Sequence, residues 1–182
     1  MLLAGLHKQA FKMDLSVVIP MFNEEENVEG TLKRIEEALV GYEGAYDLIA
    51  VNDGSTDNTL KILERVAAQN KRVKVVSYPR NSGRGRALRE GFKASSGEIV
   101  VSIDADLSYA PHYIVDLVEA LRSEEDVDFV LASPYMPGGG VENVPFSRLW
   151  VSKLGNKILR ITMPNRIYTS TGIFLAYRRK VL

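Results

Sequence analysis

Ile99-Val-Val-Ser-Ile-Asp-Ala-Asp-Leu-Ser108 opens as a run of mostly β-branched apolar residues, long enough for one buried strand, and breaks off into two aspartates separated by one small residue. Neighbouring carboxylates repel one another and are costly to desolvate, so they rest in water or across a cation. Hard oxygen donors of this kind suit Mg²⁺ or Mn²⁺, which keep several waters and take further ligands from phosphate. In isolation the same pair also reads as a solvated turn capping the next helix, and the rest of the chain has to separate the two readings.

Outward from that stretch, short apolar runs alternate with helical periodicity. Residues 15–20, 46–51, 73–77, 98–103 and 127–132 read as strands. Asn23-Glu24-Glu25-Glu26 is expected to start a helix with acidic residues in its first turn, continued by Val28, Leu32, Ile35 and Leu39 on one face. Leu60, Leu63 and Ala67 give the next helix its apolar side, a third runs from the turn Asn81-Ser-Gly-Arg-Gly-Arg86 through Phe92, and Pro111 opens a fourth with Ile114, Leu117, Val118 and Leu121. Nearly continuous apolar strands separated by helices predict an α/β fold whose mostly parallel sheet is covered on both faces. Ligands of such sheets bind beyond the carboxyl ends of the strands. The polar clusters at 20–24, 52–55 and 104–108 are therefore expected to share one crevice, which favours the metal reading of Asp104 and Asp106.

Beyond Ser133 the character changes. Pro134, Pro137 and Gly138-Gly139-Gly140 make a loop with a permissive backbone. Residues 146–162 read as a helix with Leu149, Leu154, Ile158 and Ile161 apolar and Arg148, Lys153, Lys157 and Arg160 basic. That pattern fits a surface helix packed on the sheet, or one lying at an anionic lipid surface with Trp150 at the interface. Residues 172–177 read as a further strand leading into a helix near Arg178. A helix running off the end at Leu182 implies a longer protein.

Composition narrows the classes. A chain of 182 residues, 46% hydrophobic, accommodates one domain with a real core, and 23 basic against 23 acidic residues offer no electrostatic basis for binding nucleic acid. Cysteine is absent, which excludes a disulfide framework or thiolate metal site and fits a cytoplasmic setting. No apolar run reaches the length of a membrane span, and residues 1–12 lack the core of a signal peptide, so the chain is expected to be soluble or peripheral. Residues 1–12 read as an N-terminal extension and 13–182 as the functional domain.

The chemistry of the crevice points to a nucleoside diphosphate leaving group, whose charge a divalent metal takes up as a bond to carbon breaks. Asp53, before the flexible Gly54, is placed to accept hydrogen bonds from a base or ribose, although an Asp-Gly pair also makes a plain turn. Arg84 and Arg86, near a helix start with free N–H groups, suit phosphate. The segment after the first strand lacks G-x-G-x-x-G, which disfavours a dehydrogenase, and is acidic where a nucleotidyltransferase wants a basic glycine-rich loop.

Four ordered motifs carry a resemblance: Ser16-Val-Val-Ile-Pro-Met-Phe-Asn-Glu-Glu-Glu-Asn27, Val51-Asn-Asp-Gly-Ser-Thr-Asp57, Asn81-Ser-Gly-Arg-Gly-Arg-Ala87 and Asp104-Ala-Asp-Leu-Ser108. They resemble the successive motifs of the family 2 glycosyltransferases, and within these the polyprenyl-phosphate hexose synthases of the dolichyl-phosphate mannose synthase type. The resemblance implies an A-type glycosyltransferase fold, a nucleotide sugar donor of the GDP-mannose or UDP-glucose type, Mg²⁺ or Mn²⁺, and inversion at the sugar carbon. It implies that Pro20, Phe22, Glu24, Val51, Asp53, Arg84, Asp104, Ala105 and Asp106 bind the nucleotide sugar, and that Asp104, Asp106 and Ser108 hold the metal. Arg148, Ser152 and Asn156 would gather the phosphate of a polyprenyl acceptor, with Asp104, Asp106 and Arg148 as the catalytic set.

Departures fall mainly on the acceptor side. Asn52 stands where many members carry an aspartate, which implies a changed contact. Pro134 and Leu175 occupy positions where arginines are expected, and Thr169 one where an aspartate is common; Arg166, Arg178 or Lys153 would have to compensate. A phosphate acceptor, largely a dianion above its second pKa of about 6, attacks without a general base. A hydroxyl acceptor would need one, and His112 at a helix start reads as a surface residue. The expected function is hexose transfer to a polyprenyl phosphate at the cytoplasmic membrane face by a peripheral enzyme that binds no nucleic acid. The alternatives are transfer to a glycan or glycolipid hydroxyl, and a nucleotide-sugar-binding module without catalysis.

Overall fold

The computed structural model describes residues 13–133 and 172–182. Strands β1 (Leu15–Met21), β2 (Tyr46–Asp53), β3 (Val73–Tyr78) and β4 (Ile99–Ser102) alternate with helices α1 (Val28–Ala38), α2 (Thr59–Gln69) and α3 (Arg84–Ala94). Helix α4 (Tyr113–Ser123), β5 (Phe129–Leu131) and β6 (Leu175–Arg178) complete the described elements, with a final 3₁₀ turn, Arg179–Val181, where a helix was expected. The sheet order is β3-β2-β1-β4-β6-β5. The pairs joining β1 to β4 are parallel, whereas β6 lies antiparallel between β4 and β5. This is the α/β, mostly parallel architecture expected from the alternation of periods.

Both faces of β1, β2 and β4 are covered, which is why these strands are buried at nearly every position, whereas the edge strand β3 exposes Lys74 and Ser77. Leu15, Val17, Ile19, Leu48 and Ala50 pack with residues of α1, α2 and α4 in the main core. The alternate residues Val18, Ile49, Val51 and Val100 pack with Ala87 of α3 in a second one. In α2 the inward residues are Thr59, Ile62, Leu63, Val66 and Ala67, while Leu60 falls outside this core.

Helix α1 begins at Val28, five residues later than the acidic run suggested. The reason is tertiary. Asn23 takes a left-handed conformation, φ +53°, and bonds across to the next loop, so Glu24 is drawn out of the helix toward the sheet edge.

Candidate functional site

The loops following β1, β2, β3 and β4 meet at the carboxyl edge around a cleft of about 250 Å³. Pro20, Phe22, Glu24, Asp53, Arg84, Asp104, Ala105 and Asp106, eight of the nine residues expected at the nucleotide sugar, line it. Val51 does not; its side chain is buried under α3. Parallel register explains the convergence. Met21 pairs with Asn52 and Asp53 with Tyr78, so each strand delivers its following loop at the same height.

The aspartate turn is built by alternate anchoring. Ala105 and Leu107 are buried in the main core, which turns Asp104 and Asp106 outward. Leu107 N–H donates to the Asp104 carbonyl at 3.2 Å, and Leu107 adopts φ +50°. That left-handed conformation costs an L-residue about 1–2 kcal/mol, which burial of the leucine side chain, worth roughly 1.5–3 kcal/mol, offsets. Ser108, expected as a metal ligand, places its N–H and hydroxyl on Asp106 Oδ1 at 2.9 and 2.7 Å. It thus orients the carboxylate. Thr31 on α1, a residue the sequence reading passed over, donates to the Ala105 carbonyl at 2.5 Å. Its position in the apolar helical stripe was the available signal.

Burial pushes the Asp104 carboxyl above its ordinary pKa, opposed by the Arg84 guanidinium and reinforced by Asp106 and Glu24. Arg84 Nη1 stands 3.5 Å from Asp104 Oδ1. Arg86 instead lies 4.4 Å above the Tyr78 ring and donates to Ser82 Oγ at 2.9 Å, bracing the back of the same loop. Of the two arginines, Arg84 alone lines the cleft.

A second set of bonds locks the first two loops together. Asn23 N–H donates to Ser55 Oγ at 3.0 Å, and Asn23 Oδ1 accepts from Thr56 N–H at 2.8 Å. Glu24 N–H donates to Thr59 Oγ1 at 2.8 Å, and Glu25 N–H to Asp57 Oδ2 at 3.1 Å. Burial acts to raise the Asp57 pKa, yet the Thr59 hydroxyl and N–H and the Glu25 N–H outweigh it and hold the carboxyl below its ordinary value. Asn52 is buried; its amide donates to Ser77 Oγ at 2.9 Å and its Oδ1 accepts from Ser55 N–H at 3.2 Å. The expected change of contact at this position is thus an inward one.

Gly54 (φ +65°) lets this turn pass against the loop after β3, where an added Cβ would lie 2.4 Å from Arg80 C and Asn81 N. The close approach brings Ser82 N–H to Asp53 Oδ1 at 2.8 Å and the Asn81 amide to Oδ2 at 3.3 Å. Asp53, only 3% exposed, is held in place before any ligand arrives.

The acceptor-side residues Arg148, Ser152 and Asn156 lie outside the described residues, as do Trp150, Pro134, Lys153, Arg166 and Thr169. Leu175 begins β6 opposite Ser102. Arg178 donates to the carbonyls of Val127, Leu121 and Glu124 at 2.8, 2.6 and 2.9 Å. These bonds tie it to the end of α4 and the turn after it. His112 is exposed and its ring stands 4.1 Å from that of Tyr113, as expected of a surface residue. Ser102 Oγ donates to the Ile173 carbonyl, and Ala132 N–H to the Phe174 carbonyl at 3.0 Å. The chain on either side of residues 134–171 therefore joins the sheet close to Asp104.

Two carboxylates, one raised by burial and by its acidic neighbours, fit a divalent cation that neutralises them. Among the described residues there is no group of three or more acidic or imidazole side chains that could hold a metal. Among the same residues no helix is long and apolar enough to cross a membrane.

The family model of glycosyl transferase family 2 matches residues 16–182. The chain is 36% identical over 172 residues to a dolichol-phosphate mannosyltransferase of Pyrococcus furiosus, covering 93% of this chain and 47% of that protein. It is 34% identical to a polyprenol monophosphomannose synthase of Mycolicibacterium smegmatis, covering 91% of this chain and 62% of that one. The chain thus spans roughly half to three fifths of these relatives. Among solved structures it resembles the glucosyl-3-phosphoglycerate synthase of Mycobacterium tuberculosis, in complex with Mn²⁺, uridine diphosphate and glucosyl-3-phosphoglycerate. There the TM-score is 0.69 at 28% identity, over 93% of this chain and 58% of that chain.

Proposed function

Because the chain belongs to glycosyl transferase family 2 and has the A-type fold of its structural neighbours, we propose that residues 13–182 form the catalytic domain of an inverting hexosyltransferase. It takes the sugar from a GDP-mannose or UDP-glucose type donor and passes it to a polyprenyl phosphate. The observation carrying this reading is the single cleft that joins Phe22, Glu24, Asp53 and Arg84 to the aspartate pair.

Phe22, 43% exposed, offers a face to the nucleoside, with Glu24 and Asp53 as hydrogen-bond acceptors for base and ribose. Asp104 and Asp106 would hold Mg²⁺ or Mn²⁺, with Ser108 orienting Asp106 and Arg84 facing the diphosphate; the bound ion would supply charge neutralisation for the leaving group. An oxygen of the acceptor phosphate attacks the anomeric carbon as the bond to the donor diphosphate breaks, and the nucleoside diphosphate leaves with the electron pair. The dianionic nucleophile carries no proton to remove. Arg148, Ser152 and Asn156 are assigned to the acceptor phosphate on the strength of the family motif. A lipid acceptor implies peripheral contact at the cytoplasmic membrane face.

The test is transfer by the full-length protein across labelled nucleotide sugars and polyprenyl phosphates with Mg²⁺ or Mn²⁺. A lipid-phosphate hexose is the expected product, and its absence across the panel overturns the acceptor assignment. A second reading, a hydroxyl acceptor, is favoured by Leu175 at the start of β6 and by the engagement of Arg178 with α4. It predicts transfer to a glycan or glycolipid in the same panel. Donor binding with neither transfer nor hydrolysis would identify a module that does not catalyse.

A further inference from the structure

Helix α1 buries Val28, Thr31, Leu32 and Ile35 against the sheet. Three are apolar. Thr31 is 4% exposed, and its hydroxyl must find a partner inside the protein. A helical threonine readily turns that group back onto the preceding turn of its own helix. Thr31 spends it on the carbonyl of Ala105, at 2.5 Å and 74 positions along the chain.

Ala105 is the residue between the two aspartates. Its carbonyl belongs to the peptide that leads into Asp106, so the hydrogen bond restrains the plane from which that carboxylate departs. The same turn contains Leu107 at φ +50°, a conformation that persists only where neighbours hold it. Burial anchors Ala105 and Leu107 by their side chains, but side-chain burial does not set the rotation of the peptide between them. The hydroxyl on α1 bonds the carbonyl of that peptide directly.

We propose that Thr31 is a positioning residue for the donor site: by holding the Ala105 carbonyl it sets the relative direction of the Asp104 and Asp106 carboxylates, and with it the affinity for metal and nucleoside diphosphate. This rests on the reading of the two aspartates as the metal and diphosphate ligands. Valine keeps the shape of threonine and removes the hydroxyl, leaving the Ala105 carbonyl without its donor. Serine keeps the hydroxyl.

The experiment compares wild type, Thr31→Val, Thr31→Ser and Thr31→Ala in the full-length protein. Calorimetry with Mn²⁺ and UDP or GDP gives nucleotide affinity, Mn²⁺ titration of transfer gives the metal midpoint, and circular dichroism gives the melting temperature. Thr31→Val is expected to weaken Mn²⁺–nucleotide binding and raise the Mn²⁺ midpoint and donor KM by about tenfold, the size of one lost hydrogen bond to a buried group, with acceptor KM unchanged. Thr31→Ser should return these values to within about twofold of wild type. A threonine that only fills the core would lower the melting temperature or the active fraction without moving the Mn²⁺ midpoint. A wild-type midpoint in Thr31→Val, or in Thr31→Ala if the valine variant does not fold, overturns the proposal while leaving the site reading intact. If wild type itself binds neither nucleotide in a Mn²⁺-dependent way and Asp106→Ala changes nothing, the site reading fails and the role of Thr31 with it.

Discussion

Arg84 Nη1 approaches Asp104 Oδ1 to 3.5 Å at the mouth of the cleft, joining the start of α3 to the end of β4. The guanidinium opposes the larger effect of burial on the aspartate's proton affinity. Burial raises the Asp104 pKa, Arg84 pulls it down, and Asp106 and Glu24 push it up again.

Removing the guanidinium removes the lowering influence. Arg84→Gln is therefore expected to raise the Asp104 pKa further and move the acidic limb of Mn²⁺ binding to higher pH. Loss of a charge-assisted contact should also cost roughly tenfold in kcat/KM at neutral pH. Calorimetric Mn²⁺–nucleotide titrations across pH test the direction; a limb that stays or moves to lower pH contradicts it.

The two aspartates should respond differently to substitution. Asp106 is exposed, so Asp106→Ala is expected to reduce turnover by at least about 10³-fold, with stability unchanged to within about 0.5 kcal/mol. Asp104 is part-buried with a raised pKa, so its ionised form disfavours the folded state once pH exceeds the unfolded pKa, fully so above the folded one. At neutral pH Asp104→Asn should raise the metal-free melting temperature while abolishing activity. Unfolding curves with and without Mn²⁺ check both.

Gly54 has no substitute in its turn. Alanine would place Cβ 2.4 Å from the Arg80–Asn81 peptide at φ +65°, so Gly54→Ala should destabilise by about 2–4 kcal/mol and lower the melting temperature by roughly 5–10 °C. The displaced loop carries Ser82 away from Asp53. Donor affinity measured well below the lowered melting temperature should fall as well.

Arg178 serves the fold. Its three bonds to the carbonyls of Leu121, Glu124 and Val127 predict that Arg178→Ala destabilises by about 2 kcal/mol and leaves acceptor KM unchanged. A selective rise in acceptor KM, with stability intact, would assign it to the acceptor.

Part of this was local and therefore readable. Apolar runs at 15–20, 46–51 and 98–103 reflect burial on both faces, and the spacing of Val28, Leu32 and Ile35 follows from 3.6 residues per turn. The polar motifs at the strand ends lie next to those runs, so their convergence follows from the parallel order alone. Family membership follows from the same four motifs, which the family model matches within residues 16–182.

What the sequence determined by itself was thus the alternation of elements, the rim on which the chemistry sits and the residue types gathered there. Tertiary structure decided which member of each motif faces the ligand. Arg84 and Arg86 are two positions apart and equal as cations, yet packing on Tyr78 turns one away. Asn52 and Asp53 are neighbours, but the alternation of β2 turns Asn52 toward Ser77 while Asp53 lines the cleft. Thr31 belongs to no motif, and only the docking of α1 brings its hydroxyl to Ala105. These assignments depend on contacts between residues 8 to 74 positions apart, created by sheet register and helix docking, and no local pattern encodes where such partners will meet.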